Sequence, residues 1–296
     1  MSKYSLYSAA DFFYGTHYDD AEMMNAAIRI EEFFSLIREG KKEDLEIALN
    51  KNPKALYDSN NLRQTALHIA CKHNQPEILE FLLSKLPIQT NTPQEDRLIN
   101  KRDTEGFTPL MVCADNNNVE CAKLLMSHQP DLKIVGYDLK RNVAHLAAQR
   151  NADEILRMVL EAKDKNGKNI LDANVPCKER LLTGFTPAHF AAASFAHKSI
   201  KVLKEMGANL NALAQQKTPM MIALQNGSHG VVSFLLEQPE VDLSIKDRHG
   251  HTAYEYALHF RTPSQDVLKI KEKMLRLQKI SRKVKCIKKN SEHTKE

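Results

Sequence analysis

The chain repeats itself. The stretches RQTALHIAC, EGFTPLMVCA, KRNVAHLAA, TGFTPAHFAA, QKTPMMIAL and HGHTAYEYAL align on one polar position, occupied by Thr65, Thr108, Asn142, Thr186, Thr218 and Thr252. A degenerate earlier copy, EEFFSLIREG, places Glu31 in that slot, and the successive intervals are 34, 43, 34, 44, 32 and 34 residues. A period near 33 residues marks an array in which each unit buries its apolar face only by stacking on its neighbours. This constraint overrides the division into two domains that 296 residues would otherwise imply at roughly 150 residues each.

The residue types within the unit have physical reasons. Gly106, Gly184 and Gly250 stand two before the aligned position, where a tight turn needs positive φ. Thr108 and Thr186 can cap a helix, and Pro109, Pro187 and Pro219 suit its first position, where no N–H is needed. Ala147-Ala148 and Ala191-Ala192 keep this first helix slim, while Ile78, Leu79, Leu82 and Leu83 supply bulk from a second.

The period and the T-P-L-H-x-A pattern resemble the ankyrin repeat. The leucine pairs Leu82-Leu83, Leu124-Leu125 and Leu235-Leu236 and the turn GANLNA at Gly207–Ala212 agree with it. The resemblance covers roughly residues 30–265. It implies an all-α solenoid of stacked helix-turn-helix units joined by β-hairpin-like loops. The expected order is an aromatic-rich segment at 1–22, a capping helix pair at 23–56, six repeats over 57–263, a basic amphipathic helix at 264–289 and a polar tail at 290–296.

Departures from the pattern are few. Arg63 and Lys140 replace the turn glycine, and Met111, Met221 and Glu255 replace the repeat histidine. The two long intervals place insertions at 84–97 and 163–180. Insertions of this kind form either binding loops or tolerated surface loops.

Chemistry finds little support. His68, His145 and His189 share one repeat slot, where the resemblance implies a framework histidine. His68, Cys71 and His73 contain metal-ligand types, but Cys71 falls on a core slot and His73 on the inner-helix face, and no second ligand pair follows. Cys177 sits in an insertion and is expected to be exposed, yet no base is positioned for it. Phosphate-cradling and nucleophile-elbow motifs are absent. The expectation is a protein that is not an enzyme and takes no cofactor and no small-molecule substrate. Five cysteines without a C-x-x-C pair, with no signal peptide or apolar span, give a reducing, cytoplasmic setting as the expectation.

The resemblance further implies a protein partner held on a concave face of hairpin tips and inner helices. The matching slots hold Lys72, His73, Asp115, Asn116, Gln149, Arg150, Gln225, Asn226, His259 and Phe260 on the helices. At the tips they hold Glu105, Phe107, Leu182, Phe185, Arg248, His249 and His251. Phe107, Phe185 and Phe260 are the expected anchors. Mixed charge on this face argues against nucleic acid. Asn211 matches the asparagine that eukaryotic hydroxylases modify in this family, or else it stabilises a turn.

Net charge is +5, of which residues 267–289 carry +9 (ten Lys/Arg and Glu272), leaving −4 for the rest. Apolar residues at 267, 270, 274, 277, 280, 284 and 287 form one helical stripe, with Lys269, Lys273, Arg276, Arg282 and Lys283 among the cations on other faces. Such a helix can cap the last repeat, bind a partner, self-associate or lie on an acidic membrane. The first 22 residues hold six of the 19 aromatics and are expected to dock on the first helix pair. The leading function is an interaction scaffold or adaptor. The alternatives are a bacterial effector delivered into the host cytosol and an accessory subunit localised by its basic helix.

Overall fold

The computed structural model describes residues 20–86, 97–137, 140–178, 183–260, 265 and 267–276, with the backbone alone for 20–27. The described residues divide at Leu146 and Ala147 into two compact units.

Each repeat begins where the aligned residue caps a short inner helix. The inner helices are α3 (Ala66–Lys72), α5 (Pro109–Asn116), α7 (Val143–Gln149), α9 (Pro187–Ala193), α11 (Pro219–Asn226) and α13 (Ala253–His259). The outer helices are α4 (Pro76–Ser84), α6 (Val119–Ser127), α8 (Asp153–Glu161), α10 (His197–Glu205) and α12 (His229–Glu237). Before them, α1 (Asp20–Glu39) and α2 (Lys42–Lys51) pack as a helix pair. The sequence placed a capping pair at 23–56, with Glu31 in the aligned slot of a degenerate copy. Instead α1 starts at Asp20 and runs unbroken through Glu31, because this copy lacks the turn and cap residues that would interrupt it.

In unit 1, α1 packs on α2 and α3, α3 on α4 and α5, and α4 and α5 on α6. In unit 2, α10 packs on α8, α9 and α12, and α11 on α9, α12 and α13. The inner helices bury small residues such as Ala70, Ala114, Ala191 and Ala223, and the outer helices bury Leu82, Leu125, Leu156, Leu203 and Leu235. Slim inner faces let consecutive repeats approach, and the bulky outer residues fill the space between layers.

The turn before each inner helix has the same conformation in every repeat, whatever residue occupies it. Gly106, Gly184 and Gly250 have φ of +83°, +87° and +82°. Arg63, Lys140 and Gln216 occupy the same slot at +56°, +44° and +60°. At Gly106 glycine is required for a second reason, since a Cβ would lie 2.5 Å from the Tyr137 backbone N. In three repeats a polar residue five before the cap closes the turn: the Asn60, Asp103 and Asp247 side chains each accept two backbone N–H bonds within it.

Of the insertion at 163–180, the described residues 163–178 are built into unit 2. Lys163 pairs with Asn169, Leu171 and Ala173 are buried, and Asn174 accepts from the Asn209 N–H at 2.6 Å and donates to Gly207 O. Most of the 84–97 insertion, the aromatic segment before residue 20 and the chain after 276 lie outside the described residues.

Candidate functional site

The repeat histidines are framework. In His68, Nδ1 accepts from the Thr65 backbone N–H at 3.1 Å, which leaves Nε2 to donate to Phe107 O at 2.9 Å in the next repeat. His189 repeats the arrangement, with Nδ1 accepting from Thr186 N and Nε2 donating to Ala212 O and Lys217 O. Burial lowers the pKa of both, that of His189 to about 4, against the raising effect of the carbonyls they donate to. In the third repeat, His145 N donates to Asn142 Oδ1 at 3.2 Å, so asparagine caps as threonine does.

The repeats without histidine keep the cap. The Thr108 and Thr218 hydroxyls accept from Met111 N and Met221 N at 3.3 Å, and the Met111 thioether accepts weakly from Thr108 N. Glu255 accepts from both the Thr252 N–H and its hydroxyl, which holds its carboxyl below the usual range.

The thiols are core elements. Cys113 on α5 lies in hydrogen-bonding contact with Cys71 on α3 and Cys121 on α6, and all three are buried; burial raises the pKa values of Cys71 and Cys113, and the Cys113 contact together with burial raises that of Cys121. Cys177 corrects an expectation. It is 1 % exposed, because its backbone N–H donates to Phe185 O and its carbonyl accepts from Gly184 N, drawing it into the turn. Protonated, buried thiols are poor nucleophiles and poor metal ligands. Among the described residues no group of three His, Cys, Asp or Glu side chains could hold a metal ion.

The expected partner-binding residues separate into exposed and buried sets. In unit 1, Lys72, His73, Glu105 and Asn116 are exposed and Asp115 is half-buried. The pKa of His73 is lowered by partial burial and by the charges of Lys72 and Arg38. Phe107 is half-buried and its ring lies beneath Gly136, so it packs on the adjacent turn rather than standing free.

In unit 2, Arg150, Gln225, Asn226, Arg248, His249, His251, His259 and Phe260 are exposed, with Gln149 half-buried. Lys217 Nζ donates to the Gln225 side chain at 2.8 Å, and Arg248 Nε to His249 Nε2 at 3.0 Å. Phe260 leans edge-on against His259 with ring centres 4.8 Å apart. Phe185 corrects the other anchor expectation. It is 9 % exposed, with its ring against His189 and Phe190, because the turn folds it over the inner helix. Leu182 lies outside the described residues.

One residue of this surface escaped the sequence reading. Just after the inner helices α3, α5, α7, α9 and α11 one residue adopts the left-handed conformation. Asn74, Asn117, Asn151 and Gly227 occupy it at φ of +50°, +56°, +56° and +70°, all types that tolerate it. In the fourth repeat the slot holds Phe195, at φ +60° and 61 % exposed. The signal was present in the repeat alignment, as a phenylalanine in a column that also holds three asparagines, a glycine and an arginine.

Asn211 is engaged on both sides of its carboxamide. It donates to Glu240 O at 2.7 Å and accepts from Asp242 N at 2.8 Å. Asn100 makes the corresponding acceptor contact to Asp131 N at 2.9 Å. The side chain therefore serves as a rung between repeats.

The basic segment is helical over 267–276. Ile270 is fully buried, and Lys273 Nζ donates to Leu236 O and Gln238 O at the end of α12. An ammonium there satisfies carbonyls left open at a helix C-terminus, and partial burial lowers its pKa. Lys269 and Arg276 are exposed, Arg276 lying 4.0 Å from Glu272, while Arg282 and Lys283 lie outside the described residues. No described helix is long and apolar enough to cross a membrane.

Capped helix pairs, left-handed turns and cross-repeat asparagine rungs define a protein of tandem helix-turn-helix repeats. Models of ankyrin repeats match residues 47–98, 93–169, 168–247 and 189–270, and the chain belongs to the ankyrin-repeat family. It is 28 % identical to Rabankyrin-5 of Mus musculus over 41 % of this chain and 10 % of that protein. It is 27 % identical to ankyrin repeat and SOCS box protein 16 of Homo sapiens over 66 % of this chain and 40 % of that one. The chain thus spans a small part of these relatives. Among solved structures, the ankyrin repeat domain of Bcl-3 superposes with a TM-score of 0.61 at 20 % identity, covering 81 % of this chain and 97 % of that one. The human ASB11 ankyrin repeat domain does so with 0.59 at 18 %, covering 81 % and 96 %. Ankyrin repeats are in general protein–protein interaction modules.

Proposed function

We propose that the protein is a non-enzymatic adaptor that binds a protein partner through its inner-helix ends and hairpin tips, with Phe195 and Phe260 as anchors in unit 2. The carrying observation is Phe195. A bulky side chain in the left-handed region costs about 1–2 kcal/mol, and its outward position recovers little of that by burial. Strain of this kind concentrates at functional positions, and exposed aromatic residues dominate binding energetics when a partner covers them. Exposed Arg150, Asn226 and His259 add polar contacts of mixed character, which suits a protein better than a nucleic-acid backbone.

The scaffold reading is favoured over a localising role for the basic helix, because Ile270 and Lys273 are committed to the end of unit 2. The test compares proteins captured by the wild-type chain with those captured by Phe195→Asn and Phe260→Ala. Loss of one specific partner from both variants, with folding intact, is the expected result. Equal recovery by all three baits refutes the anchor assignment.

A further inference from the structure

The outer surface of unit 1 and the helix at 267–276 carry complementary features that the partner-binding reading leaves unused. Between α4 and α6 lies an open groove of about 360 Å³. Pro76 and Leu124, both half-exposed, supply its apolar floor, and Glu77, Glu80 and Glu120 line its rim. Lys123 pairs with Glu120 at 2.7 Å, which leaves the groove with two carboxylates in excess.

The basic helix is apolar on two faces. One is spent on capping, through Ile270 and the neighbouring Lys273. The other presents Leu268 and Leu275, 59 % and 48 % exposed. Seven residues apart, they stand on one line along the helix, about 10 Å from each other. Lys271, also exposed, falls between them, one turn from each. Two apolar anchors at i and i+7 on a cationic helix are what an acid-rimmed apolar groove accepts.

We propose that the protein associates head to tail, with the outward Leu268–Leu275 face of one copy seated in the α4–α6 groove of a second copy. The occupant is a second copy because the chain itself supplies a helix complementary in charge and apolar spacing. Groove and helix are different surfaces, so a head-to-tail pair keeps one groove and one helix free, and assembly extends beyond two copies as concentration rises. The inner-helix surface is not involved, so this inference stands or falls apart from the adaptor reading.

Sedimentation velocity across a concentration series tests it with the full chain. The wild type should gain mass with concentration, and added salt should weaken association by about tenfold or more. Glu77→Lys/Glu80→Lys breaks the groove and Leu268→Glu/Leu275→Glu breaks the helix, and each variant alone should stay monomeric. Mixed, they should form a species of two copies, since one brings an intact helix and the other an intact groove. All four positions are solvent-facing, and circular dichroism checks folding. Leu275→Ser and Glu80→Gln, milder changes, should each weaken association in the same direction. A wild type monomeric at every concentration overturns the proposal, as does either double variant associating like wild type or a mixture that stays monomeric.

Discussion

At Phe195 a bulky side chain sits in a conformation that three asparagines and a glycine occupy in other repeats. Asn151 shows what the usual residue contributes: its carboxamide accepts from Lys198 N and Ser199 N, at 2.9 and 3.1 Å, in the first turn of α10. Phe195→Asn should relieve strain and offer the same cap to the first turn of α12. The expected gain is about 1 kcal/mol, read as a rise in the urea midpoint, and a loss of stability would mean the ring packs in a way its exposure does not indicate. His189 makes a prediction of opposite kind. Its folded pKa of about 4 lies below the usual 6.5, so the unfolded chain takes up a proton that the folded one excludes. Its contribution is fully present above about 6.5 and is lost as pH falls from there toward 4, on the order of 3 kcal/mol. Buried His68 shifts in the same direction. His189→Met, the residue type that the second and fifth repeats use in this slot, should flatten the pH dependence of the urea midpoint in that window. An unchanged slope would show that His189 titrates normally. The histidines were legible in the sequence because their slot recurs. The fate of Phe185 was not, because its burial depends on how the turn folds over the inner helix, whereas Phe195 was legible only as a phenylalanine where three other repeats carry asparagine.

At the level of elements, α3, α5 and α6 meet at three thiols, and the hairpin turn before α9 encloses a fourth. Burial raises the pKa values of Cys71 and Cys113, and the Cys113 contact with burial raises that of Cys121, so neither thiolate nor access is available. In a Cys286→Ser background, a thiol reagent should label none of the four rapidly in the native protein and all four in denaturant. Rapid native labelling of Cys177 would reopen the question of its chemistry. Helix positions followed from the repeat spacing, and the capping threonines and first-turn prolines stand where their chemistry placed them. The turn before each helix was only half legible. Glycine announces positive φ, whereas Arg63, Lys140 and Gln216 reach it because the flanking hydrogen bonds hold the turn. Asn60 supplies that restraint around Arg63, whereas backbone bonds, Gly136 N to Arg141 O and the reciprocal Ala214–Lys217 pair, close the turns that hold Lys140 and Gln216.

For the molecule as a whole, the stacking logic makes stability a sum of repeat terms and nearest-neighbour terms. An end repeat has one neighbour, so what covers it decides whether it frays. At the end of unit 2 the cover is the helix at 267–276, which buries Ile270 and gives the carbonyls of Leu236 and Gln238 an ammonium partner. Removing residues 264–296 should therefore act locally. Amide exchange should rise most in α13 and α12, less in α11, and remain unchanged in α3 through α6, since nearest-neighbour coupling decays along the array. Lys273→Met keeps the stem and removes the charge, and should reproduce a fraction of the effect, about 0.5–1 kcal/mol confined to the end of α12. Two outcomes would contradict this picture. Uniform loss of protection would mean the array unfolds as one cooperative block, and unchanged exchange in α12 would mean the helix rests on unit 2 without stabilising it. The distinction bears on function, because a frayed last repeat would release Phe260 from its packing against Tyr256 and His259 and blur one end of the proposed partner surface. Truncation should then weaken partner binding even where the deleted helix makes no contact with the partner, and restoring a non-basic helix that keeps Ile270 and Lys273 should recover it.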